Sequence, residues 1–339
     1  MVRHFLLAGF LLVFFCGIPG YPAVATAAGS LEDCAKIDDD TARLKCYDEA
    51  AGRKPKEAPA RTTPAPPAPG KPAKYSYLSW KWQLDEESRR NRYAIMPYRA
   101  NYLLPYTYNF TQNKQLYQAI DPNIEMQDAE AKFQLSFKIK LWESILGTDT
   151  DLWVGYTQLS LWQVYNSAFS APFRETNYEP EILLSFRTNT DIFGLVRNRF
   201  IQVGLNHQSN GRSEPLSRSW NRVVANFGFE RDSFNMVLRT WMRIPESAEN
   251  DDNRDIESYL GYGELVAGYL WKDFAVAATF RNNLRLNSDN VSGLQLDFTF
   301  PLFDPINGYV QYFVGYGESL IDYNHYNNRI GAGFLVKDW

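Results

Sequence analysis

The chain contains 339 residues, of which 45% are hydrophobic, 22% are charged and 15% are aromatic. This apolar content excludes wholesale disorder, and beyond Ile18 no apolar run approaches the ~20 residues that a membrane-spanning helix needs. A formal net charge of -4 gives no reason to expect a nucleic-acid partner. Aromatic residues are thus abundant in a chain whose mean hydropathy is only -0.39, and this combination requires an explanation.

The N-terminus has the pattern of a secretory signal peptide. Arg3 precedes an apolar run over residues 5–18, and small residues at A-x-A spacing follow at Ala25 and Ala27. We therefore expect residues 1–27 to be removed by cleavage after Ala27. A short uncleaved membrane anchor is the alternative.

Two further segments precede the main domain. Residues 28–52 are charged, have a helical pattern and contain Cys34 and Cys46, which in an exported protein most simply form one disulfide. Residues 53–74 are mostly Pro, Ala, Lys and Thr, a composition that predicts an extended, semi-rigid linker. The main domain is then expected over residues 75–339.

Apolar and polar residues alternate through most of the main domain. Residues 133–141 (FQLSFKIKL) alternate without a break, and a period of two indicates a strand with one apolar and one polar face. The same pattern recurs near 93–110, 150–165, 180–192, 197–209, 217–230, 232–244, 258–271, 273–286, 291–301, 307–317 and 327–339. Twelve strands are therefore predicted.

The connections between the predicted strands alternate in length. Short connections lie near 145–149, 193–196, 230–232, 271–273 and 302–306, and mostly longer, polar ones near 111–129, 166–179, 210–216, 245–257 and 318–326. This arrangement predicts an all-β fold, a twelve-stranded antiparallel transmembrane β-barrel of the bacterial outer membrane. The linker and Trp339 would lie on the periplasmic side and the long loops outside. An exported soluble β-sandwich is the alternative.

A candidate catalytic cluster lies where the fifth predicted strand connects to the sixth. His207 and Ser209 are two residues apart on a strand, so their side chains share a face. If the hairpin is centred near Glu214, Asn221 lies opposite His207, with Cβ atoms roughly 4.5–5.5 Å apart. These residues could serve as base, nucleophile and orienting group, with Asn in place of the usual Asp.

The strand face that carries this cluster is apolar. Leu205 and Val203 share the face of His207, and Val223 shares the face of Asn221. The cluster is therefore expected on the lipid-facing outside of the barrel near its outer rim, where a serine would meet lipid esters first. An ordinary polar strand end and turn is the alternative, because His-x-Ser alone is a weak motif.

At these residues the sequence resembles the outer membrane phospholipase A family. The resemblance is carried by residues 206–212 (NHQSNGR), 217–222 (SRSWNR), 172–180 (PFRETNYEP) and 316–324 (YGESLIDYN), and it covers roughly residues 93–339. It implies a twelve-stranded barrel that hydrolyses phospholipid acyl esters, with phospholipase A1, A2 and lysophospholipase activity. It also implies dependence on Ca²⁺ and activity as a homodimer.

The resemblance also implies roles for particular residues. Ser209 would be the nucleophile and His207 the base. Asn221 would orient His207, and the Gly211 amide would form part of the oxyanion hole.

The same resemblance implies a calcium site made of oxygen donors, the ligand type that suits Ca²⁺. Its ligands would be Ser217, the Arg212 carbonyl, Glu214 and the Ser170 carbonyl of a partner subunit, with Asp252 as a further candidate. Glu214 departs from the family, which has Asp there, so the ligand distance and the affinity are open. The acidic cluster around Asp252 (Glu249, Asp251 and Asp255) has a solvated loop as its alternative interpretation.

Gln158 is expected on the lipid face, where an unpaired amide is costly. By resemblance it would pair with its copy across the dimer, and a local tyrosine or water is the alternative partner. If calcium needs oxygens from both subunits, the monomer would stay inactive in an intact membrane.

The predicted function is therefore a calcium-dependent serine hydrolase acting on phospholipids. A passive barrel, either a pore or an adhesin with a degenerate triad, is the alternative, and acyl release from other outer-leaflet lipids is a third. Lys138 and Lys140 are expected to fill part of the lumen with polar contacts, which disfavours a wide pore.

Overall fold

The computed structural model describes residues 31–52 and 76–336, which belong to two compact units divided at Thr62. The predicted signal peptide over residues 1–27, the predicted linker over residues 53–74 and Trp339 lie outside the described residues.

The first unit is a pair of short helices joined by a disulfide. Helix α1 spans Leu31–Cys34 and α2 spans Asp40–Ala50. Cys34 and Cys46 form the disulfide, with their Cα atoms 5.5 Å apart. The predicted helical pattern and the predicted disulfide are both confirmed.

The second unit consists mainly of strands. Its helices are α3 (Tyr77–Trp82), α4 (Lys114–Gln118) and α5 (Ile256–Leu260), with 3-10 turns at Glu86–Ser88 and Ile145–Gly147. Its strands are β1 (Met96–Pro97), β2 (Asn101–Asn109), β3 (Ala129–Trp142), β4 (Thr150–Trp162), β5 (Glu175–Ile192), β6 (Val196–Ser209), β7 (Ser219–Arg231), β8 (Phe234–Ile244), β9 (Gly263–Trp271), β10 (Phe274–Asn282), β11 (Ser292–Phe303), β12 (Ile306–Gly315) and β13 (Asn327–Val336). Within residues 31–52 and 76–336, none of the helices is long and apolar enough to cross a membrane.

The sheet closes on itself. Strands β2 to β13 pair antiparallel in chain order, and β13 pairs in turn with β2, with Ile330 opposite Tyr108. The two-residue strand β1 pairs with β3 beyond the end of β2, with Met96 opposite Lys138, so β1 and β2 are two parts of the first predicted strand. The predicted twelve-stranded antiparallel barrel is confirmed, and the soluble sandwich is excluded.

The alternating sequence pattern matches the two faces of the barrel. On β5, Ile182, Leu184 and Phe186 are exposed on the outside, whereas Leu183 and Ser185 between them are buried. Large apolar side chains on the outer face therefore alternate with a largely polar lumen. This alternation explains why an aromatic-rich chain has a low mean hydropathy.

The largest errors in the predicted strand boundaries are at the starts of β5 and β9. Strand β5 begins at Glu175 rather than near residue 180, because its first residues bind the loop after β12: Asn177 Oδ1 accepts the Leu320 amide at 2.9 Å. Strand β9 begins at Gly263 rather than near residue 258, because α5 occupies the preceding residues and buries Ile256 and Leu260.

Helix α3 packs inside the barrel at the end that carries the short turns, and the alternating pattern gave no sign of it. The Trp82 ring lies 5.5 Å from the rings of Trp153 and Phe200, measured between centroids. Lys138 Nζ lies 4.3 Å from the Trp82 centroid and donates to the Pro97 carbonyl at 2.8 Å. This end of the lumen is therefore filled.

Buried ion pairs fill the lumen toward the long loops. Arg174 binds Glu130 at 2.8 Å and Asp322 at 2.9 Å, and all three side chains are at most 1% exposed. Lys132 and Glu318 form another buried pair at 2.9 Å. Lys140 is also buried, and the expectation that polar contacts fill part of the lumen is confirmed. A cavity of about 390 Å³ remains between these groups.

The contacts of Trp82 lead to a prediction about stability. Trp82→Ala should lower the free energy of unfolding by about 3–5 kcal/mol, because the truncation leaves a void among buried rings. The unfolding temperature can be read from the change in gel mobility of heated samples. Trp271→Ala makes the same truncation at a 60% exposed position and should cost much less. Equal losses in both variants would contradict the assigned role of Trp82.

Candidate active site

His207 and Asn221 are direct partners across the β6–β7 hairpin. Their Cα positions pair in register, and His207 Nδ1 lies 2.8 Å from Asn221 Oδ1. Ser209, two residues further along β6, is opposite Ser219 on β7. The cross-strand register expected from the hairpin centre is therefore present.

The cluster lies on the outer face of the barrel near the long loops. Leu205 and Val223, on the same face, are exposed, whereas Asn206 and Gln202 on the opposite face are buried in the lumen. The side chains of His207 and Ser209 are thus placed beside an apolar, outward-facing surface, as the parity of the strand predicts.

The loop between β6 and β7 is held by Asn210, which the sequence patterns did not single out. The Asn210 amide donates to the Arg218 carbonyl, and the Arg218 amide donates to Asn210 Oδ1, both at 3.0 Å. Asn210 Nδ2 also donates to the Leu216 carbonyl at 2.8 Å. Three hydrogen bonds of one buried residue therefore keep this loop in a fixed shape.

Gly211 follows Asn210 with a φ of +64°. A Cβ atom at this position would lie 3.2 Å from the Tyr178 ring, and Tyr178 is the β5 partner of Ser209. Both the backbone angle and the close ring favour glycine here. The Gly211 amide therefore lies in a tight turn two residues after Ser209.

Arg212 connects two loops on the same rim. Its Nη2 donates to the Phe173 carbonyl at 2.8 Å and to the Arg174 carbonyl at 2.5 Å. Its guanidinium also lies 3.6 Å from the Glu175 carboxylate. The segment before β5 is thus attached to the loop that carries Gly211.

Three of the predicted calcium ligands come together in the long loops. The Ser217 hydroxyl donates to the Asp252 carboxylate. A hydrogen bond between the Glu214 and Asp252 carboxyl groups raises the pKa of Glu214 above its ordinary value. Such closely spaced oxygens, two of them on carboxylates, are the donor set that Ca²⁺ prefers.

The remaining acidic and carbonyl candidates have other contacts. Asp251 pairs with Arg243 at 2.6 Å, Asp255 accepts from the Tyr323 hydroxyl, and Glu249 is exposed. Ser170 lies in the β4–β5 loop, where its carbonyl accepts from the Trp162 indole at 2.8 Å. In the described part of the chain, no three His, Cys, Asp or Glu side chains form a metal-binding group.

One further side chain reaches the cluster. Asn221 Nδ2 donates to Glu246 Oε1 at 2.8 Å. Glu246 lies in the loop after β8, where the sequence shows only an acidic, polar stretch. Strand pairing places Ile244 opposite Asn221, and this pairing is the signal that would have located Glu246 beside the cluster.

The fold and the cluster together define a class of protein: a transmembrane β-barrel with a histidine, an asparagine and a serine grouped on its outer face. The Phospholipase A1 family model matches residues 78–336. Phospholipase A1 of Klebsiella pneumoniae is 40% identical over 248 residues, which cover 73% of this chain and 84% of that protein. A putative phospholipase A1 of Neisseria meningitidis serogroup B is 34% identical over 382 aligned positions, covering 99% of this chain and 96% of that protein.

A solved structure agrees with these relatives. The outer membrane phospholipase of Salmonella typhi, a dimer with bound calcium, superposes with a TM-score of 0.68 at 37% identity. The superposition covers 75% of this chain and 95% of that one. The chain therefore belongs to the phospholipase A1 family, and it is a protein of the bacterial outer membrane.

Proposed function

We propose that this protein is a calcium-dependent serine hydrolase that cleaves the acyl ester bonds of phospholipids, with phospholipase A1, A2 and lysophospholipase activity. The observation that carries the proposal is the 2.8 Å contact between His207 and Asn221 on the outer face, two residues from Ser209. The names of the relatives agree with this substrate class.

The hydrogen bond supports the roles that we propose for the three residues. Asn221 Oδ1 can only accept, so His207 carries its proton on Nδ1 and leaves Nε2 free to accept one. Nε2 takes the hydroxyl proton of Ser209 while the serine oxygen attacks the acyl carbonyl. The proton then passes to the departing alcohol oxygen, and water releases the fatty acid from the acyl-serine by the same steps.

The negative oxygen that forms on the attacked carbonyl needs hydrogen-bond donors. The Gly211 amide is the donor that we assign, because the turn at Gly211 directly follows the strand end that carries Ser209. The hydrogen bonds of Asn210 hold this turn in place before substrate binds, so the donor does not have to be reoriented during the reaction.

The position of the cluster explains the choice of lipid esters. The apolar outer face around Leu205 contacts the acyl chains, and the polar long loops lie at the level of the headgroups. With the long loops outside the cell, phospholipids of the outer leaflet reach Ser209 by lateral diffusion.

Calcium would be held by the Ser217 hydroxyl, the Glu214 and Asp252 carboxylates and the Arg212 carbonyl. When bound, it would supply positive charge that stabilises the negative oxygen of the transition state. The contacts among Ser217, Glu214 and Asp252 support this site, because two adjacent carboxyls favour a cation between them.

The active form would be a homodimer in which the partner subunit's Ser170 completes the calcium site. Gln158 lies on the outer face of β4, where Tyr156 Oη donates to its Oε1 and its Nε2 donates to Ser160 Oγ, each at 3.2 Å. The local tyrosine partner considered above is thus present. The amide retains one donor hydrogen and one lone pair, which a second copy could use.

Removing the nucleophile is the first test. Ser209→Ala should lower the rate of fatty-acid release from phospholipid in detergent micelles by roughly 10⁴-fold or more, as in other serine hydrolases. The matched control is Ser219→Ala, because Ser219 is the cross-strand partner of Ser209. If Ser209→Ala kept the activity, or if only Ser219→Ala lost it, the assigned nucleophile would be wrong.

The turn that carries the oxyanion donor can be tested with a pair of glycines. Gly211→Ala should lower kcat about tenfold or more, because the methyl group meets the Tyr178 ring at 3.2 Å. Gly194 has a similar φ of +68° but nothing within 4 Å of its Cβ position. Gly194→Ala should therefore bear the same backbone strain with little loss of activity, and equal kcat losses would exclude a specific role for Gly211.

The calcium site predicts a change in metal requirement. Asp252→Asn should raise the Ca²⁺ concentration for half-maximal activity about tenfold or more, since a carboxylate ligand is lost. Glu249→Gln removes one negative charge from the same loop at an exposed position and should have little effect. A Ca²⁺ requirement unchanged in Asp252→Asn would remove Asp252 from the site.

A further inference from the structure

Asn221 is held at both ends of its amide. Its Oδ1 contacts His207 Nδ1, and its Nδ2 donates to Glu246 Oε1, each at 2.8 Å. A carboxylate has only acceptors, so Glu246 can face only the Nδ2 end. The carboxylate therefore determines which way the amide of Asn221 points.

The carboxylate of Glu246 has few other contacts. Its side chain is 18% exposed, and its other oxygen, Oε2, is buried without a hydrogen-bond partner among the described residues. Arg243 Nη2 lies 4.0 Å from that oxygen but contacts Asp251 more closely, at 2.6 Å. Asn221 is thus the hydrogen-bonding partner of the Glu246 carboxylate.

We propose that Glu246 is a positioning residue for the hydrolysis and that the cluster is a Ser–His–Asn–Glu relay. This inference rests on the proposed function. By fixing the Asn221 amide, Glu246 keeps Oδ1 toward His207 and so keeps the proton on Nδ1, which leaves Nε2 available to Ser209.

Glu246 also supplies charge that the asparagine lacks. A neutral amide stabilises the imidazolium formed during the reaction less than the aspartate of a usual triad does. A carboxylate hydrogen-bonded to the far end of that amide polarises it, which makes Oδ1 a stronger acceptor. The charged and titratable groups around the relay are Arg243 and Asp251 on the β8 side and the Tyr178 phenol on the β5 side.

Two substitutions separate the charge of Glu246 from its shape. Glu246→Ala should lower kcat about tenfold with little change in KM, which corresponds to one hydrogen bond to a charged group. Glu246→Gln keeps an acceptor for Asn221 Nδ2 and should recover part of that loss. In both variants the acid side of the pH–rate profile should move to lower pH. The reason is that each substitution removes the negative charge of Glu246, which helps to stabilise the protonated imidazole.

Exchanging the two groups provides a sharper test. Asn221→Asp places two carboxylates in contact and removes the donor, so activity should fall. Adding Glu246→Gln to that variant restores a donor–acceptor pair with the opposite polarity, and activity should rise about tenfold above Asn221→Asp alone. A purely structural Glu246 would give a double variant no better than the single one.

The control is again Glu249→Gln, which should match the wild type. The inference would be overturned if Glu246→Ala and Glu246→Gln both kept the wild-type kcat and pH profile, or if the double variant did not exceed Asn221→Asp. Heat-dependent gel mobility identifies any variant whose loss comes from unfolding. Full activity in Ser209→Ala would instead overturn the proposed function, and the relay with it, so the two failures are distinguishable.

Discussion

The closure of the sheet is the constraint on which the rest of this molecule depends. In hydrocarbon there is no water for a free N–H or C=O, so a spanning sheet must pair its last strand with its first. Here β13 pairs with β2, and every strand of the barrel has two neighbours. Once the sheet is closed, each side chain on a strand faces either the lipid or the lumen. The parity of a residue decides which, and it places His207 and Ser209 toward lipid and Asn206 into the lumen.

Ion pairs inside the lumen hold the long loops at the outer rim of the barrel in place. Burial alone would raise the pKa of Glu318, but the adjacent Arg329 and Lys132 cations hold it at about 2. These ion pairs join the loop after β12 to strands on opposite sides of the closure. Removing one member of such a buried pair leaves the other as an unpaired charge in the protein interior, which is strongly destabilising. The long loops that support the cluster are therefore anchored by charges inside the barrel.

The sequence predicts those features of the structure that depend on residues close together in the chain, and it misses those that depend on contacts between distant segments. The period of two, the disulfide between Cys34 and Cys46 and the pairing of His207 with Asn221 all follow from local spacing. Helix α3 does not, because six residues are too few to show a helical period and its position depends on rings contributed by distant strands. Glu246 is similar: its contact with Asn221 depends on a strand pairing and a loop path that composition does not reveal.

The proposed relay would also account for an asparagine at residue 221, where the triad of a serine hydrolase usually has an aspartate. An aspartate at residue 221 would place a full charge on the outer face, next to Val223 and the acyl chains, where charge is costly. An amide at that position carries no net charge, yet it can transmit the polarising effect of a carboxylate that binds its other end. Glu246 provides that carboxylate from a loop beyond the end of β8, where its side chain is 18% exposed. The neutral residue lies where the surroundings are apolar, and the charge lies one hydrogen bond further away, where the loops are polar. A base that operates at a lipid surface can in this way receive electrostatic support without a charged group on the lipid-facing strand.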